Sequence, residues 1–167
     1  MSIGPEDGMM ITRRKWLSVT LGGAAAALVT HTGRALALPA VKPVRMTVYK
    51  TPTCGCCRLW VSHARGVLTA YDIETLDMDD LTEVKTRLGV PPALQSCHTA
   101  ISGPYVFEGH VPADLIKRFL AQRPKALGLA VPGMPMGSPG MDMGGRKEPY
   151  DVLLFDKAGK TRVYAKR

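Results

Sequence analysis

The sequence has no G-x-x-x-x-G-K-[ST] phosphate loop and no G-x-G-x-x-G fingerprint, which leaves nucleotide-binding enzymes without support. It carries no internal repeat, so a solenoid or propeller is excluded. Aromatic residues make up only 6% of the 167, and carboxylates are not clustered around a hard-cation site. The acidic run Asp77, Asp79, Asp80 and Glu83 reads as a helix N-terminus. A bilayer-length apolar run is also missing. The stretch Trp16 to Val29 has 14 residues, against the roughly 20 that a spanning helix needs. What is not scarce is hydrophobicity, at 46%, which argues against a disordered chain. With 17 Gly and 13 Pro, the expectation is one compact core with generous irregular connections rather than an all-helical bundle.

The formal charge of +8 first suggests nucleic acid, but its distribution does not. The first 37 residues carry a net +2, from Arg13, Arg14, Lys15 and Arg34 against Glu6 and Asp7. The remaining basic residues are scattered, with Arg146-Lys147 and Lys166-Arg167 the densest runs. That is a solvated surface, not a nucleic-acid site.

Arg13-Arg14-Lys15, the apolar run after it and Ala35-Leu36-Ala37 have the three parts of a secretory signal. Thr12-Arg-Arg-Lys-Trp-Leu17 resembles a twin-arginine signal, with Trp16 where Phe is usual. A Sec signal and an uncleaved anchor are the alternatives. Residues 1–37 are therefore expected to be a cleavable export signal, 38–44 a linker and 45–167 the domain. No stable membrane insertion is expected after cleavage. All four cysteines would then reside in the periplasm, where disulfides are permitted.

Arg45–Tyr49 alternates and is β-rich, and Lys50–Gly55 is a loop. Beyond it Trp60, Ala64, Val67 and Leu68 repeat at helical spacing. Tyr71–Met78 reads as a second strand. Asp80 with Glu83 makes a capping-box start for a helix that stops at Gly89. Thr99–Ile101 and Tyr105–Phe107 form a hairpin around Gly103-Pro104. Pro112 opens a helix whose buried face is Leu115, Ile116, Phe119 and Leu120. Leu127–Gly145, rich in Gly, Pro and Met, is expected to hold no regular element. Tyr150–Phe155 and Thr161–Ala165 close the chain as a hairpin. A strand, a cysteine loop and a helix in succession are the thioredoxin-like opening. The fold expected is α/β and thioredoxin-like: a central mixed sheet flanked by helices, with a Gly/Pro/Met-rich loop and a C-terminal β-hairpin.

Cys54-Gly55-Cys56-Cys57 overlays C-x-x-C, C-x-C and a vicinal pair. Its place between strand and helix puts the thiols at a helix N-terminus, where partial positive charge favours thiolate. Thiolate is both a nucleophile for disulfide exchange and a ligand for soft metals. Cys97-His98 stands where a redox thioredoxin usually carries a cis-proline, and a thiol with an imidazole suits a ligand set better than a dithiol catalyst. Met134, Met136, Met141 and Met143 ride on a Gly/Pro loop, so core packing explains them poorly. They could be soft thioether donors, a hydrophobic lid, or both. His110 stands open between ligand and cap, and His63 reads as a surface histidine on the first helix. Thiols, imidazoles and thioethers together point to Cu(I) before Zn(II), which would not need the methionines. Two other readings remain: an oxidoreductase using Cys54 and Cys57, and a disulfide-stapled domain without metal.

Several segments resemble the CopG-like family of periplasmic copper-resistance proteins: Thr51-Pro-Thr-Cys-Gly-Cys-Cys57, Gly89-Val-Pro-Pro92, Gln95-Ser-Cys-His-Thr-Ala100, Glu108-Gly-His-Val-Pro-Ala113, Gly128 to Met141 and Pro149-Tyr-Asp-Val152. The resemblance runs from about Arg45 to the C-terminus. It implies a thioredoxin-like fold and copper handling in the periplasm. It also implies cluster-type Cu(I) binding by Cys54, Cys56, Cys57 and Cys97, which match the family's cysteine motifs. His98, His110, Met134, Met136 and Met141 fall in matching segments. The expected partners are copper ions, and other periplasmic copper proteins that exchange them.

Overall fold

The computed structural model describes residues 43–142 and 144–167. The expected export signal and residues 38–42 of the expected linker lie outside the described residues. Among those described, the order is β1 (Val44–Lys50), α1 (Gly55–Val67), β2 (Tyr71–Asp77), α2 (Thr82–Arg87), a 3-10 turn (Pro92–Leu94), β3 (His98–Ser102), β4 (Tyr105–Gly109), α3 (Ala113–Gln122), β5 (Gly128–Val131), β6 (Asp151–Phe155) and β7 (Thr161–Lys166). The strands form one mixed sheet in the order β2-β1-β3-β4-β5-β6-β7. The β1–β2 and β4–β5 pairs are parallel and the other four antiparallel.

Strand alternation sorts the core onto two faces. Met46, Val48, Ala100, Phe107, Leu129 and Val152 point to one, where Trp60, Val61 and Ala64 of α1 and Leu115, Ile116 and Phe119 of α3 cover them. The 3.6-residue spacing of these helical residues makes each helix amphipathic, so each buries one stripe. The opposite face collects Val106, Ala130 and Phe155 beneath Val90 and Leu94, which follow α2.

Two expectations fail here. The stretch 127–145 does contain a regular element, β5, which is buried along its whole length between β4 and β6. A four-residue run apolar on both sides has no period to reveal a strand. Gly128 permits the pairing, because a Cβ there would lie 1.7 Å from the carbonyl oxygen of Val106. The sheet consequently extends to seven strands, with β5 joining the first hairpin to the C-terminal one. The capping box on Asp80 also fails: α2 starts at Thr82, with Leu81 as a cap residue that makes no side-chain cap. Asp80 instead accepts the Thr82 N–H through Oδ1, 2.8 Å away, a local turn that competes with the cap. Both expected hairpins and the helix stop are present, and Gly89 sits at φ 71°, a left-handed conformation that ends a helix at little steric cost to glycine.

Candidate metal centre

The first half of the site is built locally. Cys54 is the N-cap of α1, and its sulfur lies 3.2 Å from the Cys57 N–H it accepts. Pro52 and Gly55 break the strand, and the helix that follows aims its free N–H groups at the sulfurs. Cys54 and Cys57 are joined as a disulfide, while Cys56 and Cys97 are free thiols. The Cys56 sulfur stands 3.4 Å from that of Cys54. In this oxidised form two of the four expected donors are bonded to each other. Two electrons and two protons are needed to return them to thiols.

The second half is built by the sheet. Cys97 immediately precedes β3, and His110 immediately follows β4, so the β3–β4 pairing brings them together. The Cys97 sulfur is 3.0 Å from His110 Nε2 and 3.4 Å from His98 Nδ1. His110 Nδ1 lies 2.8 Å from the Pro139 carbonyl oxygen. A carbonyl only accepts, so Nδ1 carries the proton and Nε2 offers a lone pair to the Cys97 thiol. A backbone partner on one ring nitrogen that frees the other is the usual arrangement of a metal-binding histidine. His98 is fully buried against the indole of Trp60, with ring centroids 4.4 Å apart, and 5.0 Å from the His110 ring. Its Nε2 has no hydrogen-bond partner, a costly condition for a buried polar atom.

Burial sets the electrostatics of this half. It pushes the Cys97 thiol up to about 12, with the nearby Cys56 adding to the effect. It holds His98 well below its ordinary range, and His110 and Lys85 push the same way. His110 is lowered by burial too, with the Pro139 carbonyl opposing. Without a cation, this half is therefore a set of neutral groups. A cation would reverse that preference by stabilising the thiolate.

The two halves meet. One donor atom each from Cys54, Cys56, Cys57 and Cys97 lies within 4.8 Å of the others, as do donors from Cys97, His98 and His110. Cys97 belongs to both groups. The donor set is soft and mixed S/N, which fits a thiophilic metal ion.

The methionine loop reaches the site through its backbone. Gly140 lies against α1 so closely that a Cβ would be 2.6 Å from the Cys56 carbonyl oxygen and 2.8 Å from the Trp60 nitrogen. Pro139 holds His110, and the Gly133 carbonyl accepts the Ser96 hydroxyl at 2.6 Å. Met134 is exposed on the lip of an open groove of about 500 Å³ that also includes Cys97, Asp79, Asp80 and Thr82. Met136 and Met141 are half-buried. His63 is half-buried rather than superficial, and its Nε2 accepts the Ala113 N–H at the start of α3.

Sequence reasoning missed a buried polar network behind Cys97. Lys85 donates to the Glu108 carboxylate and to Thr99 Oγ1, the latter at 2.8 Å. Glu108 is fully buried on β4 and also accepts the Ser96 N–H and the Thr99 hydroxyl. The available signal was a glutamate inside the apolar run of β4, which demands a buried partner.

Fold and site thus define an α/β domain that carries a sulfur-rich donor cluster able to hold a metal ion. Residues 94–141 match a family described as a protein of unknown function, DUF411. Two solved structures of a copper resistance protein CopG, forms 2 and 1, are 38% and 39% identical to the chain, each with a TM-score of 0.69. Both alignments cover 75% of this chain and 98% of the other. No match is found among curated proteins. The chain belongs to the CopG copper-resistance protein family.

Proposed function

We propose that this protein binds copper as Cu(I) in the periplasm and serves copper homeostasis or resistance. The observation that carries the reading is the convergence of four cysteine sulfurs within 4.8 Å, three from one helical turn and one from the β3 approach. Reduced, these sulfurs supply thiolates that can bridge several soft ions, so a crowded loop has a use. His98 and His110 complete the set. The methionine loop, tied down beside Cys56 and His110, closes over it or passes copper in and out through Met134, Met136 and Met141. Copper softness, together with the copper-resistance relatives, favours copper over zinc.

The framework is thioredoxin-like in this reading: β2-β1-β3-β4 with α1 springing from the cysteine loop, enlarged by β5–β7. The N-terminal twin-arginine-like segment supports export, and among the described residues no helix is long and apolar enough to cross a membrane. Other periplasmic copper proteins are the natural exchange partners.

The test is a Cu(I) titration of the reduced protein against a competing chelator. Cys54→Ser/Cys57→Ser removes two donors and is expected to cost more than the roughly 10–100-fold that loss of an outer contact costs a metal site. Weak binding by the native protein, or equal binding by the variant, overturns the reading.

A second reading, a thiol-disulfide or copper-linked oxidoreductase, is favoured by the bonded Cys54–Cys57 pair at the start of α1. Rapid reduction of insulin disulfides by the metal-free dithiol form would favour it.

A further inference from the structure

Cys97 lies between two residues that are both held by one side chain. Glu108 Oε1 accepts the Ser96 N–H at 2.7 Å, and Oε2 accepts the Thr99 hydroxyl at 2.6 Å. Lys85 donates to Oε1 of the same carboxylate and to Thr99 Oγ1. The pair is nearly sealed, with Glu108 0% and Lys85 5% exposed. Isolating two charges from water costs several kcal/mol per ion before their attraction is counted. A hydrophobic pair would serve packing as well or better, so stability does not account for the placement.

What the network does geometrically is specific. It grips the residue before Cys97 and the second residue after it, leaving Cys97 and His98 as the two positions between fixed points. Ser96 continues the chain of contacts, since its hydroxyl donates to the Gly133 carbonyl at the root of the methionine loop. Two residues beyond Glu108, just past the end of β4, His110 makes the 3.0 Å contact with the Cys97 sulfur. One carboxylate therefore sits at the junction of the thiol, the imidazole and the loop.

We propose that Glu108, neutralised by Lys85, is the positioning residue of the centre: it sets the Cys97 sulfur against the helix-borne cysteines and His110. It does not touch the metal. It acts by holding the Ser96 backbone N–H on one side of a ligand and the Thr99 side chain on the other, the role outer hydrogen bonds play at metal sites generally. The copper arm of the test rests on the function proposed above, and the first arm does not.

The first arm uses the metal-free protein with the Cys54–Cys57 bond intact, and follows alkylation of Cys97 and Cys56 separately by peptide mass spectrometry. Glu108→Gln keeps the volume and removes the charge. It is expected to speed Cys97 alkylation by about tenfold by freeing the segment, with Cys56 changed by less than about twofold. Val152→Ala, a core truncation on β6 with no contact to this network, is the stability control and leaves both rates near native. In the second arm, the reduced Glu108→Gln protein loses about tenfold or more in Cu(I) affinity while Val152→Ala loses little. Should Glu108→Gln fail to fold, Thr99→Val takes its place; it removes both the hydrogen bond to Oε2 and the one Lys85 donates to Oγ1 at constant shape, and about threefold faster Cys97 alkylation is expected. Native Cys97 reactivity in the folded variant, or an equal increase in Val152→Ala, overturns the proposal. If the native protein binds no Cu(I), the copper reading falls and the alkylation arm still decides the role of Glu108.

Discussion

The two halves of the centre are made in opposite ways. Cys54, Cys56 and Cys57 occupy one helical turn, and their closeness is a property of four consecutive residues. Cys97, His98 and His110 come from either side of a hairpin, and strand pairing, Trp60 and the methionine loop bring them together. The first half stands at a helix N-terminus, where the Cys57 N–H donates to the Cys54 sulfur. The second is held neutral by burial, with its thiol pushed up to about 12 and both imidazoles lowered. The difference teaches that one half of the cluster carries the Cys54–Cys57 disulfide, while the other keeps Cys97 a free thiol beside two buried imidazoles. Cys97 is the residue that joins them.

The largest expected effect comes from removing the wall of the buried half. Trp60 packs on His98 and donates from Nε1 to the Val111 carbonyl at 2.9 Å. Trp60→Ala should cost about 3–5 kcal/mol in a urea unfolding experiment. It should leave the Cys54–Cys57 bond able to form, because that half is local. Loss of the disulfide in the folded variant would break the distinction between the halves.

Next comes the loop that spans them. Gly140 has φ 87°, and a Cβ there would press on Cys56 and Trp60 backbone atoms. Gly140→Ala should cost about 1–3 kcal/mol and open the methionine loop to limited proteolysis. Resistance equal to that of the native protein would show that the loop does not depend on this contact.

The smallest effect is on pH. His98, His110 and His63 all have folded values below the ordinary 6.5, chiefly through burial. The unfolded chain then binds more protons than the folded one as pH falls through 6.5, so stability rises with pH there and is lost on acidification. The urea midpoint of the metal-free protein should drop between pH 7 and pH 5. His98→Phe, which removes the most deeply shifted group, should flatten that drop, and an unchanged slope would assign it to other groups.

Much of this was readable in the chain. The spacing of Trp60, Ala64 and Leu68 identified the first helix, and Gly103-Pro104 the hairpin that carries the second half of the site. Of the nine residues named from the sequence, the four cysteines lie within 4.8 Å of one another, and Cys97 does so with His98 and His110. β5 escaped because a short strand buried on both faces shows no alternation. The Lys85–Glu108 pair escaped because its partners are 23 residues apart, and nothing local announces that a lysine on α2 will face inward. His63 read as a surface residue because its partner, the Ala113 N–H, lies 50 positions away.

By itself the sequence determined what depends on neighbours along the chain. That covers the crowded cysteines at a helix start, the amphipathic stripes of α1 and α3, the turns, and the softness of the donors. Only the tertiary structure decided how Cys97 meets those cysteines, which nitrogen of His110 is free, and where the methionine loop is tied. It also decided that one buried carboxylate braces the segment. Those outcomes depend on strand register and burial, which no run of consecutive residues encodes, because the groups involved meet only after the sheet has formed.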